Sequence, residues 1–247
     1  MKCPKCGFQP TGETEECPKC GIVIDKYLKL RKNGFIGAPS RNPSVVLEAG
    51  KKAFITDLFL YVKPVANPLI FATRAIFFVV ILIWSAKFIL SSMDSGYAID
   101  SFWHLVNLPF HEAGHLIFRP FGEFMTSLGG SLTQVLIPLL CLTVFLLKTR
   151  DTFAAAFALW WLGENFMDLA PYINDARSLT LPLVGGNTGR TSPYGFHDWE
   201  FILKESGLIH HDHALANIIY RFGIALMIFA LVWGAYILYK QYKNLAG

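Results

Sequence analysis

The feature that most constrains this chain is a series of apolar runs of membrane length. The first extends from about Pro68 to Leu90, enough to cross a hydrocarbon core that takes about 20 helical residues. Arg74 and Lys87 sit near its ends, where long cationic side chains can snorkel to the interface. Further apolar stretches follow at Phe102 to Phe118, Leu132 to Leu147, Phe153 to about Ala170, and Asn217 to Tyr239, with a polar, Gly-rich loop from Ser178 to about His213 before the last. Only 16% of the residues are charged, against about 25% in a soluble domain. These runs predict an all-α polytopic membrane protein of about five to six membrane helices, one of them re-entrant.

Charge gives the orientation. Residues 1–63 hold 11 of the 22 Lys and Arg, and juxtamembrane cations record the cytoplasmic side. The expected partner of this segment is therefore the lipid bilayer rather than nucleic acid. Met1 to Lys5 contains no apolar stretch of the secretory type, so the N-terminus is expected in the cytosol of a protein of the plasma or inner membrane. The organisation reads as a head over residues 1–24, a basic linker with an interfacial helix over 25–66 (the helix from about Val45 to Tyr61), and a membrane-embedded domain over 67–247. Five full crossings would put Lys240 and Lys243 outside, against the positive-inside tendency. Either one stretch is re-entrant or the interfacial helix inserts more deeply. The Gly-rich segment Phe121 to Gly130, with Glu123, is the candidate irregular element, and such backbone is allowed only within protein or a water-filled cavity.

The head contains Cys-Pro-Lys-Cys-Gly twice, at Cys3 to Gly7 and Cys17 to Gly21. Cys3, Cys6, Cys17 and Cys20 offer four thiolates for a tetrahedral zinc in a unit too small to bury a core, so the metal would hold it folded. Each following Gly suits a tight turn that brings backbone amides towards the sulfurs. A four-thiolate shell has no open position, which assigns this zinc to structure or partner docking. The spacing resembles zinc-ribbon knuckles. Cys141 lies apart, inside an apolar run.

The chemically loaded motif is His111-Glu112-Ala113-Gly114-His115. On a helix His111 and His115 share a face and can ligate one zinc, while Glu112, about 100° round, reaches a water on the metal as general base. Leu105, Val106, Leu108, Phe110, Leu116, Ile117 and Phe118 surround it. A glutamate at membrane depth costs several kcal/mol without a partner or a water cavity, which argues against a chance match. Catalytic zinc sites use three protein ligands. Asp168, Asp175, His197 and Asp198 are candidates for the third. Asp168 lies in an apolar run, where a carboxylate must face a polar interior. Asp175 would share its face if the helix continued through Pro171; a break at Pro171 is the alternative, and a broken helix at membrane depth commonly lines a cavity. His197-Asp198-Trp199 either closes over the site or anchors its loop at the interface. In the cluster His210, His211, Asp212 and His213, Asp212 is expected to cap the last helix.

Around Phe110 to His115 the chain resembles the site-2 protease family of intramembrane zinc metalloproteases. Leu128-Gly129-Gly130-Ser131-Leu132-Thr133-Gln134 is similar to the family's Gly-rich element, with Gln134 where Asn is more usual. The stretch from Asn165 through Pro171 to Asp175-Ala176-Arg177 is similar to its aspartate-bearing element, with Ala where Gly usually follows the Asp. The likeness covers about residues 100 to 180. It implies a zinc endopeptidase cleaving membrane protein or peptide substrates, with His111, His115 and Asp175 as ligands and Asp168 as an orienting or alternative ligand; a protein partner of the ribbon is expected from its closed four-cysteine site alone. Two other readings stay open: a membrane-embedded zinc-binding adaptor without peptidase activity, and a hydrolase acting on a lipid-linked substrate.

Overall fold

The computed structural model describes residues 2–9, 15–32, 55–63, 67–191 and 197–246. The chain forms two units, Met1–Ile55 and Thr56–Gly247. Most of the expected linker and interfacial helix lies outside the described residues; within them, residues 55–60 are helical.

In the first unit the two Cys-Pro-Lys-Cys-Gly copies form equivalent knuckles. Cys3 N–H donates to Phe8 O at 2.8 Å and Cys17 N–H to Ile22 O at 2.9 Å, and each Gly N–H returns to the first cysteine's carbonyl. Gly7 and Gly21 have φ of 73° and 68°, a left-handed conformation that glycine adopts without steric cost. A bridge between Glu16 and Val23 leads into α1, Ile24–Lys32.

The second unit is helical: α2, Pro68–Leu90; α3, Phe102–Phe118; α4, Glu123–Val144, extended by a π-turn over Phe145–Thr149; α5, Thr152–Asn174; α6, Asp198–Glu205; and α7, Asp212–Ala246. Among the described residues three helices are long and apolar enough to cross a membrane: α2, α4 with its π-turn, and the stretch Ile209–Leu245 around α7. Their outward residues, among them Ile76, Val79 and Ile83 on α2 and Ile218, Phe229 and Val232 on α7, are exposed aliphatic and aromatic side chains. Helix α5 is buried along nearly its whole length, packed chiefly against α7. Gly163 and Gly223 let these two backbones approach so closely that a Cβ on Gly163 would lie 2.8 Å from Gly223 O.

Several polar groups inside α5 meet side chains from other helices, while Glu164 Oε1 and Asn165 Oδ1 stay buried without a partner among the described residues. Trp160 Nε1 donates to Ser85 Oγ at 2.6 Å, and Asn107 Nδ2 donates to Glu164 and Asp168 at 2.9 and 3.2 Å. Helix α5 continues through Pro171 and stops at Asp175, so the break considered at that proline does not occur. The proposed irregular segment Phe121 to Gly130 is likewise mostly helix. The chain turns through Arg119–Phe121 and Gly122, and α4 starts at Glu123. Gly129 and Gly130 serve close helix packing instead.

Contacts at one end of the unit join segments that lie far apart in sequence. Arg74 pairs with Asp151 and Arg150 with Asp57. Thr152 Oγ1 donates to Tyr61 O, Lys240 Nζ to Leu60 O and Asn244 Nδ2 to Lys63 O. The start of α2, the end of α4, the start of α5 and the end of α7 thus meet, with Lys63, Lys240 and Lys243 on the same side.

Candidate metal centre

Helix α3 carries the motif, and two glycines set its distance from α4. A Cβ on Gly129 would lie 2.7 Å from Gly114 O, and one on Gly130 only 2.6 Å from Nε2 of both His111 and His115. A side chain at 130 would therefore occupy the space in front of the imidazoles.

Both histidines are oriented from behind. His111 Nδ1 donates to Gln134 Oε1 at 3.0 Å, and His115 Nδ1 donates to the Thr126 carbonyl at 2.8 Å. Each ring is left with Nε2 for a metal, the usual role of such outer hydrogen bonds. The ligand atoms of His111, Glu112 and His115 lie within 4.8 Å of one another, so the group could hold a metal ion.

The carboxylate that faces the two imidazoles belongs to Asp198. Its Oδ2 is 3.5 Å from His111 Nε2 and 3.3 Å from His115 Nε2. These separations are long for charge-assisted hydrogen bonds. They match the edge of a tetrahedron with metal–ligand bonds of about 2.0–2.1 Å, which is about 3.3 Å. Burial works against the charge on Asp198, but the adjacent imidazoles outweigh it and hold its carboxyl below the ordinary range. The donor set, two imidazoles and a carboxylate, fits zinc.

The other two aspartates have different partners. Asp168 accepts from Gln134 Nε2 at 2.8 Å and from His104 Nδ1 at 2.8 Å, two hydrogen bonds behind His111 by way of Gln134. Asp175 is spent on its own loop: it accepts from Ser178 Oγ at 2.6 Å, from Thr180 N–H and Oγ1, and from Leu181 N–H. Although it is buried, these donors hold its carboxyl below the ordinary range.

The same loop delivers Asp198. His197 caps α6, its Nδ1 accepting from Glu200 N–H at 3.2 Å. Nε2 therefore carries the ring proton, and it lies buried 3.7 Å from Asp175 Oδ2 with no closer partner. His197, Asp198 and Trp199 line a cavity of about 470 Å³ with His111, Glu112 and His115, so the His-Asp-Trp segment closes over the site. Asp212, expected to cap the last helix, is instead the first residue within α7 and has helical dihedrals; its Oδ1 accepts from the adjacent His213 N–H and its Oδ2 pairs with Arg177.

Sequence reasoning missed His104, Asn107 and Thr126. His104 and Asn107 precede His111 by seven and four residues on one helical face, a readable signal. Thr126 acts through its carbonyl, which no residue type announces.

In the head, Cys3 and Cys20 Sγ are 3.7 Å apart, as are Cys6 and Cys17 Sγ. Zinc–sulfur bonds of about 2.3 Å give a tetrahedral edge of about 3.8 Å, so the four thiols fit a structural zinc. Desolvation opposes a thiolate at Cys3, but the backbone amides of Cys6 and Lys5 overcome it and bring its thiol down to about 6.

The chain matches no family model, no curated protein and no solved structure in these comparisons.

Proposed function

We propose that this protein is an integral membrane zinc metalloprotease of the site-2 protease type, with Asp198 as third ligand beside His111 and His115. The observation that carries the reading is the convergence of two Nε2 atoms and one carboxylate oxygen at 3.3–3.5 Å, with Glu112 beside them in a cavity that also has apolar walls. Zinc held there would act as a Lewis acid and make water nucleophilic near neutral pH. Glu112 is the general base: it takes the proton from the attacking water and returns it to the leaving amine, so the proton balance of peptide hydrolysis closes on one side chain. Gln134 and the Thr126 carbonyl hold the ligand rings, and Asp198 completes the donor set from outside α3.

The test is Glu112→Gln, which keeps the ligands and removes the base. Cleavage of an apolar peptide should fall by about 10² to 10⁴ while the core zinc stays bound. Wild-type cleavage by this variant would sink the protease reading. Zinc-loaded wild type that binds peptides and cleaves none would favour the adaptor.

The charge distribution supports one orientation of the site. One end carries Lys63, Arg74, Lys148, Arg150, Lys240 and Lys243 against Asp57 and Asp151. The segments at the other end, residues 87–101, 119–123 and 175–212, hold Lys87, Arg119, Arg177, Arg190 and Lys204 against eight acids. Positive-inside placement puts the first end in the cytosol. Asp168 is 16 residues beyond Thr152, about 24 Å from that end at a rise of 1.5 Å per residue, in a hydrocarbon core about 30 Å thick. The site then opens towards the non-cytosolic face. A cysteine placed at Arg190 should react with an impermeant reagent added outside intact cells, and one at Lys243 only after lysis. The opposite pattern would invert the assignment.

A further inference from the structure

His104 faces the same cavity as the metal centre, two helical turns before His111. Its Nδ1 donates to Asp168 Oδ1 at 2.8 Å, and its ring stacks against Tyr172 with centroids 6.0 Å apart. Asp168 is in turn fixed by Gln134 and Asn107, so the imidazole is held through one nitrogen and on one face. Such rigid support from behind is more than a filler of the helix interface needs. Among the described residues the other nitrogen, Nε2, makes no hydrogen bond, and the residue lines the cavity.

We infer that His104 is a substrate-binding residue that hydrogen-bonds the main chain of a peptide lying extended along α3. This rests on the protease reading and adds how substrate is held. Nε2 accepts a hydrogen bond when the ring is neutral and donates one when it is protonated. A peptide group offers both an N–H and a carbonyl, so it matches either state, whereas an acyl chain matches neither. Seven residues of helix separate His104 from His111, about 10 Å. An extended chain covers about 3.3–3.6 Å per residue, so the contact falls about three residues from the bond that Glu112 serves. The implied substrate is an apolar peptide segment unwound over at least that distance.

The test uses the full-length, zinc-loaded Glu112→Gln protein, in which binding is read without turnover. Apolar peptides shortened one residue at a time from either end are titrated, with Trp199 in the cavity wall as the fluorescent reporter. Affinity should drop about tenfold at one truncation step, the worth of one good hydrogen bond. Adding His104→Ala should lower the longest peptide to that level and abolish the step, and His104→Gln should restore part of it. Unchanged zinc content and melting temperature would exclude misfolding. An identical truncation profile with and without His104, or no binding of any peptide, would overturn the inference. Stepwise binding by a wild type that never cleaves would leave this subsite standing and remove the protease reading.

Discussion

The four-cysteine head and the histidine centre satisfy the same coordination chemistry in opposite ways. The head draws its four sulfurs from within 18 residues, at Cys3, Cys6, Cys17 and Cys20, with both knuckles closed by local backbone hydrogen bonds. The histidine centre draws Nε2 atoms from α3, their supports from α4, and a facing carboxylate from α6, with His111 and Asp198 separated by 87 residues. The first has little to hold it together apart from the metal that its four thiolates could bind. The second sits on a helical scaffold whose packing fixes it beforehand. Local closure makes a site easy to read and fragile without zinc; scaffolded closure makes it hard to read and robust.

The largest expected effect separates the two on that ground. Structural zinc in small knuckles contributes about 10–16 kcal/mol of apparent binding free energy at neutral pH, nearly all of it folding free energy. Chelation should therefore unfold residues 1–24, while the helical core keeps its far-UV circular dichroism and its packing. Hydrogen exchange read separately over the two units checks this. Loss of protection throughout α5 on chelation would mean that the core also depends on metal, and the comparison would fail.

The next effect concerns who completes the histidine centre. Asp198→Ala should lower core zinc affinity by more than the 10- to 100-fold expected for an outer-shell partner, whereas Asp168→Ala, which touches His111 only through Gln134, should fall within that range. Zinc titration of each, corrected for the head by the corresponding Cys17→Ser, Cys20→Ser background, measures both. Equal losses would place the two aspartates in one role.

The same contrast explains what could be read from residues alone. The cysteine spacing, the His-Glu-x-x-His face and the apolar runs are local patterns, so the head, α2, α3 and α7 were legible. The ligand-facing carboxylate was not, because Asp168, Asp175 and Asp198 are equal in residue type, and only the path of the loop after α5 separates them. Family likeness pointed to Asp175, and Pro171 suggested a broken helix. The helix instead runs three residues past the proline, and Asp175 meets the hydrogen-bond donors of its own loop before it can reach α3. The glycine pair 129–130 signalled irregular backbone because glycine disfavours helices. What overrode that propensity was the need for α4 to pass within contact of the imidazoles.

The smallest effect is the most discriminating, because it asks whether Asp175 acts on zinc directly or through the loop. Its Oδ1 accepts from Ser178 and Thr180, and its Oδ2 accepts from Leu181 N–H and faces His197 Nε2. Asp175→Asn can keep the Oδ1 set by retaining its carbonyl there. The new NH₂ would then oppose the Leu181 amide and the His197 ring proton, donor against donor. That loosens the cap at His197 and hence the placement of Asp198, without removing any atom near the imidazoles. Zinc affinity should fall about tenfold, the lower end for an outer-shell partner. Pairing Asp175→Asn with Asp198→Ala should add little, because with Asp198 gone the loop has no carboxylate left to position. If Asp175 were itself the third ligand, Asp175→Asn alone would cost as much zinc affinity as Asp198→Ala was expected to, and the two losses would add. The double-mutant zinc titration therefore decides between a loop anchor and a ligand, whatever the size of the single effect.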